Sequence, residues 1–348
     1  GAVEPGVACL RLATAEARAC GDQATQAQCL AELGTALVHA VRGRDEEGAS
    51  LLHEALALAD SLDQRERVVE VCRELGYVDV QAGRATSAIR WLTRATSVAV
   101  GDAERCGVLG VRGMALSDRA YYDAAAVLLS ESIAAAERGG RTRQAAWSLA
   151  LLARVRVLCG AWDDAADLLD RSIALVDAES WTAFKPFPEA LRAEVALAHG
   201  DPERAAPLVD HAFALGCRLG DPCWEGMAAR ARGLLLADSG DTTGARDTLR
   251  DAAARASRVP DPYTWVHTHI LDALADAERR AGDQMAARAV VDELESTAGR
   301  CDMRELAVRA ALHRARLGDP RAMDAARLLA EGIDNPLLDG ELVAAVAA

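Results

Sequence analysis

The feature that most constrains the fold of this chain is an internal repeat of about 40 residues. Four 17-residue segments superimpose without gaps: GRATSAIRWLTRATSVA, GAWDDAADLLDRSIALV, GDPERAAPLVDHAFALG and GDTTGARDTLRDAAARA, which begin at Gly83, Gly160, Gly200 and Gly240. The same anchor position recurs three more times as glycine and once as alanine: Gly43, Gly282, Gly318 and Ala120. The successive spacings are 40, 37, 40, 40, 40, 42 and 36 residues, so the sequence contains eight units.

Small and large apolar residues follow the anchors at helical spacing. Most units have a small residue five positions after the anchor, large apolar residues at eight or nine, and a small residue at twelve. In the second unit these are Ala88, Trp91, Leu92 and Ala95. Steps of three and four residues describe one face of an α-helix.

A further small residue stands seven positions before every anchor: Ala36, Gly76, Gly113, Ala153, Ala193, Gly233, Ala275 and Ala311. A minimal side chain there lets two antiparallel helices approach closely. The anchor glycine can adopt a positive φ and end the first helix. Aspartates directly after it can cap the second helix, at Asp201, Asp241, Asp283 and Asp319, and Pro202 and Pro320 suit its first turn. Each unit is therefore predicted to be a hairpin of helix A, a tight turn and helix B.

This arrangement resembles the tetratricopeptide repeat, in which a small residue in helix A is followed by a turn and by an alanine, large apolar, alanine pattern on helix B. The resemblance covers residues 1–348 as one domain. It implies an all-α, right-handed solenoid of about eight antiparallel helical hairpins, with helix A lining a concave groove. The period exceeds the roughly 34 residues of that family. It is similar to the period of the helical-repeat region of large ATP-binding LuxR-type transcription regulators, such as the maltose-regulon activator.

Both ends of the sequence fit parts of the repeat. Residues 5–19 match the helix B pattern, and residues 336–348 look like the beginning of a ninth unit. A solenoid with such ends exposes apolar faces unless polar caps cover them. We therefore expect a piece of a longer multidomain protein, or a chain that packs against another domain.

Charge and composition exclude several classes of function. The chain carries 53 acidic and 39 basic residues, a formal charge of −14, and such a surface repels phosphate backbones. We therefore expect no direct nucleic-acid binding by this segment. No apolar run approaches the roughly 18 residues that cross a bilayer, so no membrane association is predicted. Nine scattered cysteines form no closely spaced pair and are interpreted as reduced residues of a cytoplasmic protein.

No residue pattern points to catalysis. Gly139 and Gly140 lack the lysine and hydroxyl residue of a phosphate loop. His267 and His269 point about 200° apart on a helix, so they cannot chelate one metal ion together. The carboxylates at positions 163 and 164 stand where helix capping explains them. The sequence predicts no enzyme, no catalytic residue, no cofactor and no metal site.

Candidate binding residues come from the side of helix A that faces the groove of a tetratricopeptide solenoid. They stand thirteen, ten or six positions before an anchor: Glu70, Arg73, Tyr77, Trp147, Arg154, Phe187, Glu194, Met227 and His269. Aromatic and charged groups in one groove can bind a sugar, a peptide or a metabolite. The alternative is that these large side chains fill space between neighbouring helices.

One unit, around residues 179–210, departs from the pattern. The segment ESWTAFKPFPEA at 179–190 contains Trp181 and Phe184, and prolines at 186 and 188 that bar a regular helix. A bulky loop is therefore predicted over the groove or on the convex side. Pro207 lies within helix B of the same unit and should kink or loosen it. Two such violations indicate either a special site or a tolerated irregularity.

Three functions remain open. The first is a sensor or scaffold within a multidomain transcription regulator or signalling ATPase, which binds a small molecule, a peptide or a protein in the groove and contacts other domains of its parent. The second is a constitutive protein–protein adaptor. The third is an enzyme on a helical-repeat scaffold, which requires a convergent polar cluster that the sequence does not display.

Overall fold

The computed structural model describes residues 3–258, 260 and 263–347. This part of the chain contains eighteen α-helices and no β-strand: α1 (Val3–Cys20), α2 (Gln23–Ala40), α3 (Asp45–Ser61), α4 (Arg65–Gln81), α5 (Ala85–Val98), α6 (Asp102–Asp118), α7 (Tyr122–Arg138), α8 (Thr142–Leu158), α9 (Trp162–Ala178), α10 (Pro186–Ala198), α11 (Pro202–Leu219), α12 (Pro222–Asp238), α13 (Thr242–Ala256), α14 (Thr264–Arg280), α15 (Gln284–Arg300), α16 (Arg304–Arg316), α17 (Ala322–Ala330) and α18 (Pro336–Ala347). The predicted all-α solenoid is confirmed. Among the described residues, none of the helices combines the length and the apolar character needed to span a membrane.

The helices pair as the repeat predicts. From α2 to α17, each even-numbered helix is a helix A that packs against the next odd-numbered helix, its helix B, which gives eight hairpins. Residues 5–19 lie within α1, which adds one helix B before the first hairpin and packs on α2. Residues 336–347 form α18, which packs on α16 and α17 after the last hairpin.

The turns inside the hairpins explain the glycine anchors. Gly83, Gly160 and Gly240 adopt φ angles of 73°, 74° and 85°, in the left-handed region. Ala120, which replaces glycine in the third unit, adopts φ of 60° in spite of its Cβ. A left-handed backbone costs an L-residue roughly 1–2 kcal/mol, so glycine is favoured at this position. The periodic glycines therefore mark the end of each helix A.

Aspartates after the anchor cap helix B in three of the four predicted places. Each side chain accepts a hydrogen bond of 2.9 or 3.0 Å from the backbone N–H three residues on, at Asp201, Asp241 and Asp283. In the last hairpin, α17 begins only at Ala322, and Asp319 accepts from the Arg321 N–H in the preceding turn. The placement of Pro320 in a first helical turn was therefore wrong, because helix B is shorter in this unit.

Glycine within helix A lets the two helices of a hairpin touch. A Cβ on Gly113 would lie only 2.6 Å from Cγ of Leu129, so no side chain fits there. In the first hairpin this position belongs to Gly34, whose Cβ would lie 2.8 Å from Cγ of Leu52, and Ala36 is only half-buried. The prediction for Ala36 was wrong because the turn between α2 and α3 (41–44) is longer than the turns of the next six hairpins and shifts α2 along its partner.

The solenoid coils until its second turn lies against its first. The Trp265 indole N–H donates a 2.6 Å hydrogen bond to Gln81, 184 residues away in sequence. The Asn335 amide donates to the backbone oxygen of Leu158, 177 residues away, at 3.1 Å. With units of about 40 residues, one superhelical turn takes about four and a half hairpins. Contacts between turns therefore bring distant units together.

The irregular unit is more helical than its prolines suggest. Pro186 is the first residue of α10 and Pro188 lies in its first turn, so the prediction that they bar a regular helix was wrong. The first N–H groups of a helix have no partner within it, and proline is tolerated there. The α11 helix continues through Pro207 without interruption. Only residues 179–185 form the predicted loop.

Candidate ligand-binding cavity

A cavity of about 540 Å³ lies on the inner side of the superhelix. Its walls come mainly from α2, α4, α6 and α8 of the first turn, from the loop before α10, from the beginning of α12 and from Tyr263 just before α14, with one residue each from α1 and α11. Pockets for small ligands commonly measure ~300–1,000 Å³. The cavity thus has the size of a ligand site. It lies where the two superhelical turns meet.

The lining residues move along helix A from one unit to the next. In α2 they lie at the C-terminal end around His39, in α4 they lie at 73–77, in α8 they lie near the beginning at 143–147, and in α12 they include Trp224 in the first turn. The superhelix rises along its axis with each unit, so a cavity at one height meets each successive helix closer to its N-terminus. The lining therefore follows a diagonal and not a fixed distance from the anchor.

Glycines in α6 make room for side chains from both neighbouring helices. A Cβ on Gly107 would lie 2.9 Å from Cδ of Arg73 and 3.6 Å from the amide oxygen of Gln144. A Cβ on Gly110 would lie 2.7 Å from the Trp147 ring. Arg73 from α4 and Trp147 from α8 thus extend across the surface of α6. Any larger residue at 107 or 110 would displace them.

A buried carboxylate organises one side of the cavity. Glu74 pairs with Arg73 of the same helix, and its Oε2 lies 2.7 Å from Nε2 of His39. Burial alone favours the neutral acid, but the positive charges of Arg73 and His39 outweigh it and lower the pKa of Glu74 to about 2. The His39 ring also packs on Tyr77, with 4.8 Å between the ring centroids. These contacts fix the orientation of all four side chains.

A second buried carboxylate links the two turns at the edge of the cavity. Asp221 accepts a 3.0 Å hydrogen bond from the N–H of Cys223 at the beginning of α12 and pairs with Arg42, which follows α2. Arg42 also donates to the hydroxyl of Tyr263 at 2.9 Å. Burial raises the pKa of Asp221, and the charge of Arg42 opposes that rise. The first turn is thereby joined to the beginnings of α12 and α14.

The opposite wall is aromatic. Trp181 and Phe184 from the loop before α10 stack with 4.6 Å between centroids, and Phe184 meets Trp224 edge-on at 6.0 Å. The guanidinium of Arg143 lies 5.7 Å from the centroid of the Trp181 ring. Both candidate loop residues therefore line the cavity, where they stand beside a cationic group.

The structure brings five of the eleven residues predicted from sequence to the cavity wall: Arg73, Tyr77, Trp147, Trp181 and Phe184. The other six lie elsewhere: Glu70, Arg154, Phe187, Glu194, Met227 and His269. The five belong to three different regions of the sequence, and only the coiling of the superhelix brings them together.

Arg154, Phe187 and His269 lie in what we term the inter-turn core, the buried contact between the two turns formed by Gln81, Tyr122, Arg154, Phe187, Trp265, His269 and Glu305. Arg154 pairs with Asp118 at 2.8 Å, lies 2.9 Å from Nε2 of His269 and 4.6 Å from the Trp265 ring centroid. Burial and the neighbouring arginines lower the pKa of His269 well below its usual value. These side chains hold the turns together and do not face the cavity.

The remaining three predicted residues have separate surroundings. Glu194 pairs with Arg230 beside a smaller cleft of about 330 Å³ between α10, α12 and α14. Glu70 pairs with Arg67 on another cleft, between α2 and α4. Met227 is buried in the hydrophobic core. Offsets of thirteen and six positions from the anchor therefore also selected residues that do not line the cavity.

Several lining residues were missed because they do not stand at the predicted offsets, although Glu74 directly follows Arg73: His39, Arg42, Glu74, Arg143, Gln144, Asp221, Trp224 and Tyr263. The sequence contains one signal for this part of the cavity, which is the clustering of aromatic residues between 147 and 265. Their convergence depends on the rise and curvature of the superhelix, which the repeat pattern does not specify. Among the described residues, no group of three or more His, Cys, Asp or Glu side chains is arranged to hold a metal ion.

Fold and cavity together define the class: a tetratricopeptide-like helical-repeat superhelix with an internal cavity. No protein-family model and no curated protein matches the sequence. Among solved structures, a Rap protein complexed with competence and sporulation factor superimposes with a TM-score of 0.70 at 13% identity, over 91% of this chain and 88% of the other. NprR in complex with its cognate peptide NprX gives a TM-score of 0.63 at 12% identity, over 86% and 91%. Aspartyl phosphate phosphatase F from Bacillus subtilis gives 0.56 at 13% identity, over 80% and 73%. At these identities the likeness concerns the fold.

Proposed function

We propose that this chain is a receptor domain that binds a short peptide or a small molecule in the cavity between its two superhelical turns. The observation that carries this proposal is the cavity itself, about 540 Å³ in volume and lined by both aromatic rings and charged groups. In the inter-turn core, similar residues pack against one another. Around the cavity, aromatic and charged residues of the same kinds surround an open volume large enough for a ligand.

Two solved structures of similar fold support a ligand-binding role. One was determined with competence and sporulation factor and another with a cognate peptide, and both cover most of this chain. A cavity that spans the two turns gives a ligand contacts to both. Binding would therefore stabilise the folded chain and link its two halves.

The wider setting that we propose is a regulator. The period near 40 residues resembles the repeat region of large LuxR-type transcription regulators, in which such a segment would sense a ligand for other domains. The formal charge of −14 disfavours direct contact with nucleic acid by this segment. We therefore assign it sensing and not DNA binding.

A second candidate function, a protein–protein adaptor, is favoured by apolar side chains exposed on the first and last helices. Leu12 on α1 is 61% exposed, Leu328 on α17 is 67% exposed and Val343 on α18 is 72% exposed. Stable self-association in light scattering, abolished by Leu12→Glu or Leu328→Glu and accompanied by no response to small ligands, would favour the adaptor.

The receptor proposal is tested by a thermal-shift screen of short peptides and metabolites, followed by calorimetric titration of each hit. Trp147→Ala should weaken a hit at least about tenfold, because a truncated central aromatic commonly costs more than ~1.4 kcal/mol of binding energy. Gly110→Ala should weaken it as well, because the new Cβ displaces the Trp147 ring.

Two substitutions provide matched controls. Trp91→Ala removes a half-buried tryptophan from helix B, outside the cavity, and should leave binding unchanged. Gly299→Ala adds a Cβ with no atom within 4 Å. A hit that binds Trp147→Ala and Gly110→Ala as tightly as the original chain would place its site elsewhere. A complete absence of hits would contradict the receptor function.

A further inference from the structure

The charged groups of the cavity are unequally exposed. The side chains of its four basic residues are between 32% and 58% exposed: His39, Arg42, Arg73 and Arg143. The two carboxylates, Glu74 and Asp221, are 4% and 6% exposed. A ligand inside the cavity therefore meets guanidinium and imidazole groups, and the negative charges lie beneath them.

Each buried carboxylate is already engaged by the protein. Glu74 pairs with Arg73 and His39, and Asp221 pairs with Arg42 and caps α12. A cationic ligand would have to displace these partners to reach a negative charge. The exposed basic groups of the cavity also contrast with the chain as a whole, which carries a formal charge of −14.

Arg143 has the most exposed cationic side chain in the cavity. Its guanidinium lies over the Trp181 ring, and its Nε is 3.6 Å from the Glu179 carboxylate, longer than a hydrogen bond. Arg143 therefore forms a long ion pair with Glu179 but no hydrogen bond to it, so a ligand carboxylate can approach its donor edge more closely. That edge matches the two oxygens of a carboxylate and can bind both at once.

An apolar surface adjoins this cationic edge. Trp181, Phe184 and Trp224 form one side of the cavity, beginning at the ring on which Arg143 rests, and Trp147 also lines the cavity. Planar apolar groups pack well on such rings. A molecule that carries a carboxylate next to an aromatic or branched aliphatic group can therefore use both features together.

We infer that the ligand of this cavity is an organic carboxylate, with its anionic group held by Arg143 and Arg73 and its apolar group packed among Trp147, Phe184 and Trp224. This inference rests on the proposed receptor function and specifies its ligand class. The C-terminal carboxylate of a short peptide and a small carboxylic acid share this chemistry.

The first experiment compares two probes that differ only in charge. N-acetyl-tryptophan and N-acetyl-tryptophan amide are titrated into the full chain and followed by saturation-transfer NMR, which detects weak binding. The acid should bind at least tenfold more tightly than the amide, and its affinity should fall as salt is raised from 50 to 500 mM. Arg143→Gln should remove about tenfold of the affinity for the acid and leave that for the amide unchanged.

Arg171→Gln is the matched control variant. The Arg171 side chain on α9 is also 58% exposed and lies 3.4 Å from Glu137, but it does not line the cavity. It should bind both probes as the original chain does. Acid and amide of equal affinity, both lost in Trp147→Ala, would overturn the inference and leave the receptor function intact. A loss in Arg171→Gln equal to that in Arg143→Gln would also overturn it, because any surface charge would then suffice.

The second experiment distinguishes the two sources of the carboxylate. Random pentapeptides with a free C-terminus and the same peptides with a C-terminal amide are tested by thermal shift beside a set of aromatic carboxylic acids. Stabilisation by free-acid peptides alone assigns a peptide C-terminus, and stabilisation by the small acids alone assigns a metabolite. If neither NMR probe binds and neither peptides nor acids stabilise the chain, the receptor function fails and the inference falls with it.

Discussion

The cavity and the inter-turn core are built from the same kinds of residue but differ in what those residues touch. In the cavity, Arg143 lies over Trp181 with more than half of its side chain exposed. In the inter-turn core, Arg154 lies over Trp265 and is 4% exposed, with Asp118 as its ion pair. The same arginine–tryptophan contact therefore lies on an exposed cavity wall in one place and inside a buried core in the other.

The height within the superhelix decides between these two roles. Arg143 and Arg154 belong to the same helix, α8, three turns apart. The C-terminal part of α8 is covered by α14 of the second superhelical turn through the contacts of Arg154 with Trp265 and His269. The N-terminal part faces the cavity. One helix thus supplies a structural residue and a candidate ligand-binding residue.

The largest predicted effect is on the inter-turn core. Arg154→Ala should lower the free energy of unfolding by about 3–5 kcal/mol, because it leaves Asp118 buried without its partner. Arg143→Ala should change it by less than ~0.5 kcal/mol, because the side chain is exposed. Urea unfolding followed by circular dichroism measures both. Similar values for the two variants would remove the distinction between core and cavity.

The next effect concerns pH and the buried carboxylate of the cavity. Folding lowers the pKa of Glu74 from 4.5 to about 2, so the unfolded chain binds the proton more tightly. The stability that Glu74 contributes is therefore complete above about pH 4.5 and is lost as the pH falls towards 2. Urea midpoints between pH 6 and pH 3 should fall more steeply for the original chain than for Glu74→Gln.

Glu66→Gln is the control for this pH dependence. Glu66 lies on the same helix with a side chain that is 84% exposed, so its replacement should keep the slope of the original chain. If the urea midpoints of Glu74→Gln and of the original chain fall equally with pH, the ionised Glu74 carboxylate does not stabilise the fold through Arg73 and His39.

The smallest effect concerns the turn next to the inter-turn core. Ala120→Gly relieves a left-handed alanine but removes a buried methyl group, and the two terms of ~1 kcal/mol should nearly cancel. Gly200→Ala places a Cβ on a φ of 70° with no atom within 4 Å, so only strain remains and stability should fall by about 1 kcal/mol. Thermal unfolding of both variants makes the comparison. An equal loss in both would show that the Ala120 methyl group contributes more than its strain costs.

The sequence by itself determined the hairpins. Periodic glycines, the small residues of helix A and the aspartates after the anchors each act on neighbours within one unit, so their meaning is local and can be read from spacing. The exceptions were also local: the longer turn after α2 moved the close contact from Ala36 to Gly34, the short α17 left Pro320 outside the helix, and the prolines at 186 and 188 begin α10.

The candidate site could be predicted only in part. Arg73, Tyr77 and Trp147 were found because the inward side of helix A passes the cavity in units two to four, and Trp181 and Phe184 because they break the repeat. Arg154 and His269 occupy equivalent positions but are covered by contact between the turns.

Only the tertiary structure decided which residues face the cavity. The curvature of the superhelix is the sum of small rotations between successive hairpins, and no single unit contains it. After about four and a half units, these rotations bring Arg42 to Asp221 and Gln81 to Trp265. The contacts between the turns fill one part of the groove and leave the cavity open in another. The sequence therefore specifies each hairpin through contacts of short range, and the cavity arises from contacts between residues about 180 positions apart.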